Sequence, residues 1–205
     1  MKKVLITGGP TWVKIDRVRI ISNIFSGKTA LYLAREFKNK GFCVSIFLNP
    51  SVLRKKIKGI NFIYFRYYEE FKKKITEELK KKQYDLVIHS AAVSDFRPKK
   101  VFKEKVSSKN KKWILDLVPT QKIIRLIRKL SPKAIVVQFK LELNKKDLIE
   151  KAYRSLKENK TDYVVANALE NLKKKYFIDK KKNVKILNTK KDLFVSLYQI
   201  LRNTN

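Results

Sequence analysis

The chain has one cysteine and one histidine in 205 residues. A single cysteine closes no internal disulfide, and one histidine beside one cysteine is too little for a zinc centre. Cys43 falls in an apolar run of strand character, so it is expected to be a small buried hydrophobe. Long apolar runs are missing too: none approaches the roughly 18 unbroken residues of a membrane span. The stretch after Met1-Lys2-Lys3 is too short for a secretion signal. The expectation is a cytoplasmic protein with no membrane partner. Acids are also scarce, 18 against 50 lysines and arginines, for a formal charge of +32. That excess raises a basic nucleic-acid-binding protein as one reading. The lysines, however, fall in short runs (72–74, 80–82, 173–175, 180–182) at expected helix ends and turns, without the aromatic motif of an RNA-recognition module. Lysine, asparagine and isoleucine are abundant together, as in A/T-rich coding sequence. No specific nucleic-acid partner is expected, although the field would favour anionic substrates.

What the chain does have is material for a core. Apolar residues make up 44% of it, enough for one domain over 1–205. Buried-strand runs at 4–7, 43–48, 60–65 and 86–89 alternate with segments of helical period at 27–39, closed by Gly41, and 68–82. This order predicts an α/β fold: a doubly wound, mostly parallel, Rossmann-like sheet whose ligand crevice lies beyond the carboxyl ends of the strands. A polar stretch over 90–112 breaks the rhythm, and irregular segments of that size are commonly functional. Beyond it we expect a strand at 114–118, Thr120 as the N-cap of a helix to about Lys129, and a strand at 134–140. A helix at 147–159, a strand at 163–166, a hairpin from 176–178 and 184–187, and a closing helix at 192–202 complete the reading.

Several segments carry chemistry. Thr7-Gly8-Gly9-Pro10-Thr11 follows the first strand, where glycine lets backbone amides approach a phosphate. It is not a dinucleotide fingerprint, because the later glycine is missing, and Ser26-Gly27-Lys28 does not make a P-loop. Between Arg17 and Lys28 lies a cationic, amide-bearing loop ending at a helix N-terminus. It reads equally as an anion site or as an ordinary strand-to-helix connection. The small residues from Ser90 to Ser94 would let a ligand lie against the backbone, with Asp95 placed to accept from a ribose hydroxyl or to bind a metal. Lys105 follows on an expected flap. Tyr153-x-x-x-Lys157 on a predicted helix raises a short-chain-dehydrogenase-like NAD(P) oxidoreductase, but the glycine fingerprint is incomplete and no serine stands a dozen residues before Tyr153.

In order and spacing, Gly8-Gly9-x-Thr11, Asp16-Arg17-Val18-Arg19, Ser22-Asn23-x-x-Ser26-Gly27-Lys28, Ala91 to Pro98, Glu104-Lys105-Val106, Phe139 to Glu142, and Asp162 with Val165-Ala166-Asn167 resemble phosphopantothenate-cysteine ligase, from Lys3 to about Leu187. The resemblance is to the stand-alone form, without a decarboxylase half. It implies activation of 4′-phosphopantothenate as an acyl nucleotide, with CTP or ATP and Mg²⁺, and coupling to cysteine. It implies that Asn23 engages the acyl nucleotide, that Arg19 is a substrate-site arginine, and that Lys105 is the flap lysine needed to form the intermediate. By the same resemblance Gly8, Gly9, Ser26, Gly27, Ala91, Ala92, Asp95, Phe139 and Asn167 belong to the nucleotide and substrate pocket, and the backbone of Gln121, Lys122, Ile123 and Ile124 receives the triphosphate. Ser155 and Asn159 stand where fused bacterial forms have two nucleotide-binding lysines, which leaves CTP or ATP open. Pro10, Ala30, Ser107 and Ser108 depart from the usual pattern. The family also implies a homodimer, with the Arg19 to Asn23 loop reaching its own or the neighbouring site.

Overall fold

The computed structural model describes residues 1–52, 56–109 and 111–203. Its first strand, β1 (Lys3–Gly8), is buried at every position after Lys3 around an apolar Val4-Leu5-Ile6 centre, as befits a strand covered on both faces. The chain then makes a short hairpin of β2 (Trp12–Lys14) and β3 (Ile20–Ser22) before helix α1 (Lys28–Asn39) and β4 (Cys43–Leu48). A 3-10 turn at Pro50–Val52, β5 (Ile60–Tyr64), α2 (Tyr68–Lys81) and β6 (Leu86–His89) follow. A second small ribbon pairs β7 (Phe96–Pro98) with β8 (Leu117–Pro119). The remainder is α3 (Ile123–Leu130), β9 (Ile135–Glu142), α4 (Leu148–Asn159), β10 (Tyr163–Ala168), β11 (Asn171–Asp179), β12 (Val184–Leu187) and α5 (Lys190–Arg202).

The main sheet has the order β12-β11-β10-β9-β6-β1-β4-β5. The strands from β10 to β5 run parallel, and β11 and β12 add an antiparallel end. From β1 the chain winds outward through β4 and β5, then crosses back through α2 to β6 on the other side of β1. Gly8 and His89, the carboxyl ends of β1 and β6, therefore flank the point where winding reverses, and a crevice opens there because neighbouring connections leave on opposite faces.

Alternation along β1 divides the core. Val4 and Ile6 face α1 and α5 through Leu33, Phe37, Leu193 and Leu197. Leu5 faces the other side, where Phe71 and Ile75 of α2 and Ile123 and Ile127 of α3 pack. A third cluster seats Leu148, Ala152 and Leu156 of α4 on Val164 and Ile178.

The α/β class, the parallel sheet and the terminal hairpin follow the sequence reading, but three particulars differ. Cys43 is exposed, because it is the first residue of β4 and lies at the rim of the sheet. Thr120 does not cap α3: its hydroxyl donates to the Ser94 carbonyl at 2.6 Å, and the cap position falls two residues later on Lys122, with no side-chain cap bond. The strand expected at 114–118 is only Leu117–Pro119, held by its pairing with β7. Beyond these, part of what reads as a loop after the first strand folds as the β2–β3 hairpin.

Phe37 is fully buried and lies edge-on to both Phe42 and Phe194, with ring centroids 5.6 and 5.1 Å away. Phe37→Ala should cost about 3–5 kcal/mol, read as a lower urea midpoint at unchanged slope.

Candidate functional site

The site begins with a close approach of backbones. Gly27 is the N-cap of α1 with φ 73°, and a Cβ there would stand 2.4 Å from the Gly9 nitrogen. A Cβ on Gly8 would lie 2.3 Å from the Ala30 methyl. Only glycine tolerates both the left-handed conformation and this contact, so Gly8, Gly9 and Gly27 seat the first turn of α1 against the end of β1. Gly8 and Gly9 thus lie behind the wall of the site, whereas Ser26, Gly27 and Lys28 line it.

The second wall leaves β6. Ser90 N–H donates to the Thr7 carbonyl at 3.2 Å, Ala92 N–H to Gly9 O at 3.0 Å, and Thr11 N–H to Ala92 O at 3.2 Å. These bonds extend the β1–β6 pairing past the strand ends and hold Ala91 and Ala92 with their backbone facing the opening. Asn23 is tied to the same segment, its Nδ2 donating to Ala92 O at 3.1 Å and Val93 O at 3.3 Å. The third wall is the start of α3, where Gln121, Lys122 and Ile123 line the opening and Lys122 Nζ donates to Asp95 Oδ1 at 2.5 Å. The fourth is β9 and α4. Buried Gln138 donates to Ser155 Oγ at 3.3 Å and accepts from Asn159 Nδ2 at 3.0 Å, and Arg125 Nε donates to Asn159 Oδ1 at 3.2 Å. Phe139 and Asn167 complete that side. Together the walls enclose a cleft of about 940 Å³, room for a nucleotide with a second small molecule.

Two of the expected residues lie elsewhere. Arg19 donates through Nη1 to Asp16 Oδ2 at 3.0 Å and through Nη2 to Val106 O at 3.1 Å, with its guanidinium over Trp113. Lys105 is exposed on the irregular segment 99–109 and does not line the cleft. The dehydrogenase-like pair is turned away as well: the Tyr153 hydroxyl donates to the Lys180 carbonyl at 3.0 Å, with Lys157 over its ring. From the same helix it is Lys151, Arg154, Ser155, Glu158 and Asn159 that reach the cleft.

The cleft is strongly cationic at two helix starts. Neither α1 nor α3 has a side-chain cap bond or an acid in its first turn. By contrast α2 has Glu69 and Glu70 there, α4 has Glu150, and α5 has Asp192 in a capping box with Thr189. Uncapped amides and the positive ends of two helix dipoles therefore face one cavity, a ready arrangement for anions. Near α1 stand Lys28, Lys175 and Lys190, which have no carboxylate within ion-pair distance among the described residues; burial, and then the Lys190 charge, lowers the Lys175 ammonium. On the far side burial works to raise Glu142, but hydrogen bonds and charge from Lys140 and Lys151 outweigh it and hold the carboxyl low. A resident metal does not fit this donor set. Asp95 is already paired with an ammonium, and among the described residues no group of three or more His, Cys, Asp or Glu converges.

Sequence reasoning gave no role to Gln138, to His89, or to Asp16, which it met only as part of the Asp16-Arg17-Val18-Arg19 motif. Each is a polar residue whose role depends on partners far along the chain. His89 ends β6 at the cleft floor, 2.8 Å from Thr7 Oγ1 and stacked on Phe71.

The chain matches the family model described as DNA/pantothenate metabolism flavoprotein C-terminal domain over residues 1–197. It is 38% identical over 170 residues to a coenzyme A biosynthesis bifunctional protein, CoaBC, of Thermococcus kodakarensis, covering 82% of this chain and 41% of that one. The chain thus spans less than half the length of that curated relative. Among solved structures it resembles a DNA/pantothenate metabolism flavoprotein from Streptococcus pneumoniae, with TM-score 0.88, 23% identity and full coverage of both chains. It also resembles a Cab2 mutant in complex with phosphopantothenate-cysteine, with TM-score 0.86, 18% identity and coverage of 98% and 86%.

Burial pushes the His89 imidazole down to about 4 from 6.5. As pH falls through 6.5 the unfolded chain takes up this proton, while the folded chain resists until about 4. The associated stability is complete above 6.5 and is lost on going down to about 4, in all about 3 kcal/mol. Urea midpoints of the wild type and His89→Gln should therefore converge on acidification, and parallel pH curves would refute the buried neutral ring.

Proposed function

Because the chain belongs to the DNA/pantothenate metabolism flavoprotein C-terminal domain family, we propose that it is a phosphopantothenate-cysteine ligase. In this reading it activates 4′-phosphopantothenate as an acyl nucleotide with CTP or ATP and joins the acyl group to cysteine. The observation that carries the reading is the pair of helix starts, α1 and α3, with no acid in the first turn and no side-chain cap bond, facing one cleft. A ligase of this kind must hold two polyanions at once, a nucleoside triphosphate and a phosphorylated carboxylic acid.

A carboxylate does not acylate an amine in neutral water, because its charge repels the attacking electron pair and oxide is a poor leaving group. Transfer of a nucleotidyl group to the carboxylate oxygen releases pyrophosphate and leaves a mixed anhydride. The amine of cysteine then attacks the acyl carbon and releases the nucleotide monophosphate. In the proposed arrangement the amides of Gln121 to Ile124, with Lys122 and Arg125, receive the triphosphate, and the neutral network of Gln138, Ser155 and Asn159 meets the base beside Phe139. The acyl substrate takes the other side, its phosphate toward Ser26, Gly27 and Lys28 with Lys175 and Lys190 beyond. Lys105 on its flap supplies positive charge as negative charge builds at the α-phosphate, and covers the anhydride against water. Asn23 holds the acyl carbonyl for attack. Magnesium, when present, would neutralise phosphate charge and would enter with the nucleotide; no residue set here is assigned to it. A homodimer belongs to this reading, supported by the solvent-facing Val18, Ile20 and Ile24 on and beside the β2–β3 hairpin. The cytoplasm is its proposed location, in keeping with an intracellular biosynthetic step.

Pyrophosphate release with 4′-phosphopantothenate and cysteine, run with CTP and with ATP, tests the reading directly; no release with either nucleotide would reject it. Within it, Asn23→Asp should still release pyrophosphate but accumulate or leak the acyl nucleotide, and a normal yield of product would remove Asn23 from this role. Lys105→Gln should lose about 100-fold or more in the first half-reaction, measured as single-turnover formation of the intermediate; a wild-type rate would contradict the role given to Lys105.

A further inference from the structure

The residue that joins the flap to the rest of the site is Asp16. Its side chain is fully buried in a chain with few acids, and both oxygens are saturated. Oδ1 accepts from the backbone N–H of Val18 at 2.9 Å and of Arg19 at 2.8 Å, which forms the tip of the β2–β3 hairpin. Oδ2 accepts from Arg19 Nη1 at 3.0 Å and from Val106 N–H at 3.2 Å, a residue 90 positions away on the flap. Arg19 Nη2 then donates to the Val106 carbonyl at 3.1 Å, so both backbone groups of Val106 are held by the Asp16-Arg19 pair. A second anchor lies four residues earlier, where Phe102 N–H donates to the Ile15 carbonyl at 2.9 Å. Trp113 packs on Phe102 and under the Arg19 guanidinium. Burial alone would raise the Asp16 carboxyl. The N–H groups of Val18, Val106 and Arg19, with the Arg19 charge, outweigh it and keep the group below the usual carboxylate range.

We propose that Asp16 is a positioning residue for Lys105: it latches the flap onto the hairpin that runs into Asn23, and so fixes where the lysine stands relative to the acyl-substrate side of the cleft. Lys105 lies between Val106, held as above, and Glu104, whose exposed pair with Arg17 at 3.6 Å contributes little. The latch requires a carboxylate because all four partners are donors. An amide of the same shape brings an NH₂ group against two N–H donors, and with Oδ1 retained by the hairpin tip the broken bonds are those to Val106 N–H and to the Arg19 guanidinium, which itself holds the Val106 carbonyl. Arg19, in this view, also works through the flap. The catalytic consequence rests on the ligase reading above; the latch itself does not.

The test uses the full chain with Asp16→Asn, and with Val106→Pro, which removes the flap donor without touching the hairpin. Hydrogen exchange at Phe102 and Val106 should quicken at least about tenfold in Asp16→Asn, and at Phe102 in Val106→Pro, with the amides of β1 and β6 unchanged. Single-turnover pyrophosphate release should fall about 10- to 100-fold in Asp16→Asn. The same substitution in a Lys105→Gln background should cost less than about twofold, because the residue it positions is already gone. Unchanged flap exchange would overturn the latch. An equal loss in both Lys105 backgrounds would overturn the positioning role and leave Asp16 as a fold-stabilising residue. If the wild type releases no pyrophosphate, the ligase reading fails, and flap exchange alone decides for or against the latch.

Discussion

Fifty cationic side chains share 18 carboxylates in this chain, and where those carboxylates stand governs much of what the fold can do. Acids are placed where they order the scaffold. Asp162 accepts from the Val136 N–H at 2.8 Å and from Arg128 at 2.9 Å and pairs with Lys180, tying the end of α3 to the sheet. Glu70 and Asp192 complete the starts of α2 and α5 by accepting from backbone N–H groups just before each helix. Asp16 binds the flap. The first turns of α1 and α3 hold none, Asp95 reaching only the Lys122 side chain at the α3 cap, and these are the two helix starts that open into the cleft. A positive field over the whole molecule would attract anions without discrimination; withholding acids from two aligned sets of amides gives that attraction a place.

The cleft owes its shape to a different constraint, contact between backbones. Gly9 and Gly27 meet at a distance that no Cβ allows, and Gly8 meets the Ala30 methyl in the same way. This brings the α1 start to the carboxyl edge of β1, next to the reversal of winding between β1 and β6. Ala30 fills space that the glycine at position 8 leaves open, so an alanine at position 30 is compatible with the packing. The hydrogen bonds from Ser90, Ala92 and Thr11 carry the β1–β6 alignment beyond the strands, and Asn23 hangs from that extension. Cleft-lining groups on three segments are thereby fixed to one sheet.

The parallel strands were legible because each is built round a short, mostly apolar run; β4 and β6 have the expected bounds. The helices were legible from their period, with errors of a few residues at their starts. Less of the site could be read. Asn23, Ser26, Ala91, Asp95 and Phe139 could be assigned to one pocket only through resemblance, and the cleft does bring them together. Gln138 gave no signal, since a glutamine in an apolar strand becomes meaningful only when Ser155 and Asn159 arrive from a helix more than a dozen residues later. Arg19 reads as an anion ligand in the sequence because its charge is visible and its partners are not. In the fold both ends of its guanidinium are already engaged.

What the sequence by itself determined is whatever depends on neighbours a few residues away: strand and helix period, and the absence of an acid from the first turns of α1 and α3. What only the tertiary structure decided is which distant groups share a hydrogen bond. The Asp16 to Val106 contact, the seating of His89 under Thr7 and against Phe71, and the turning of Tyr153 away from the cleft all join or separate segments through the sheet order. The physical reason is that a polar side chain is neutral with respect to local backbone preference over most of its range, so its role is set by the donors and acceptors that chain crossovers bring beside it.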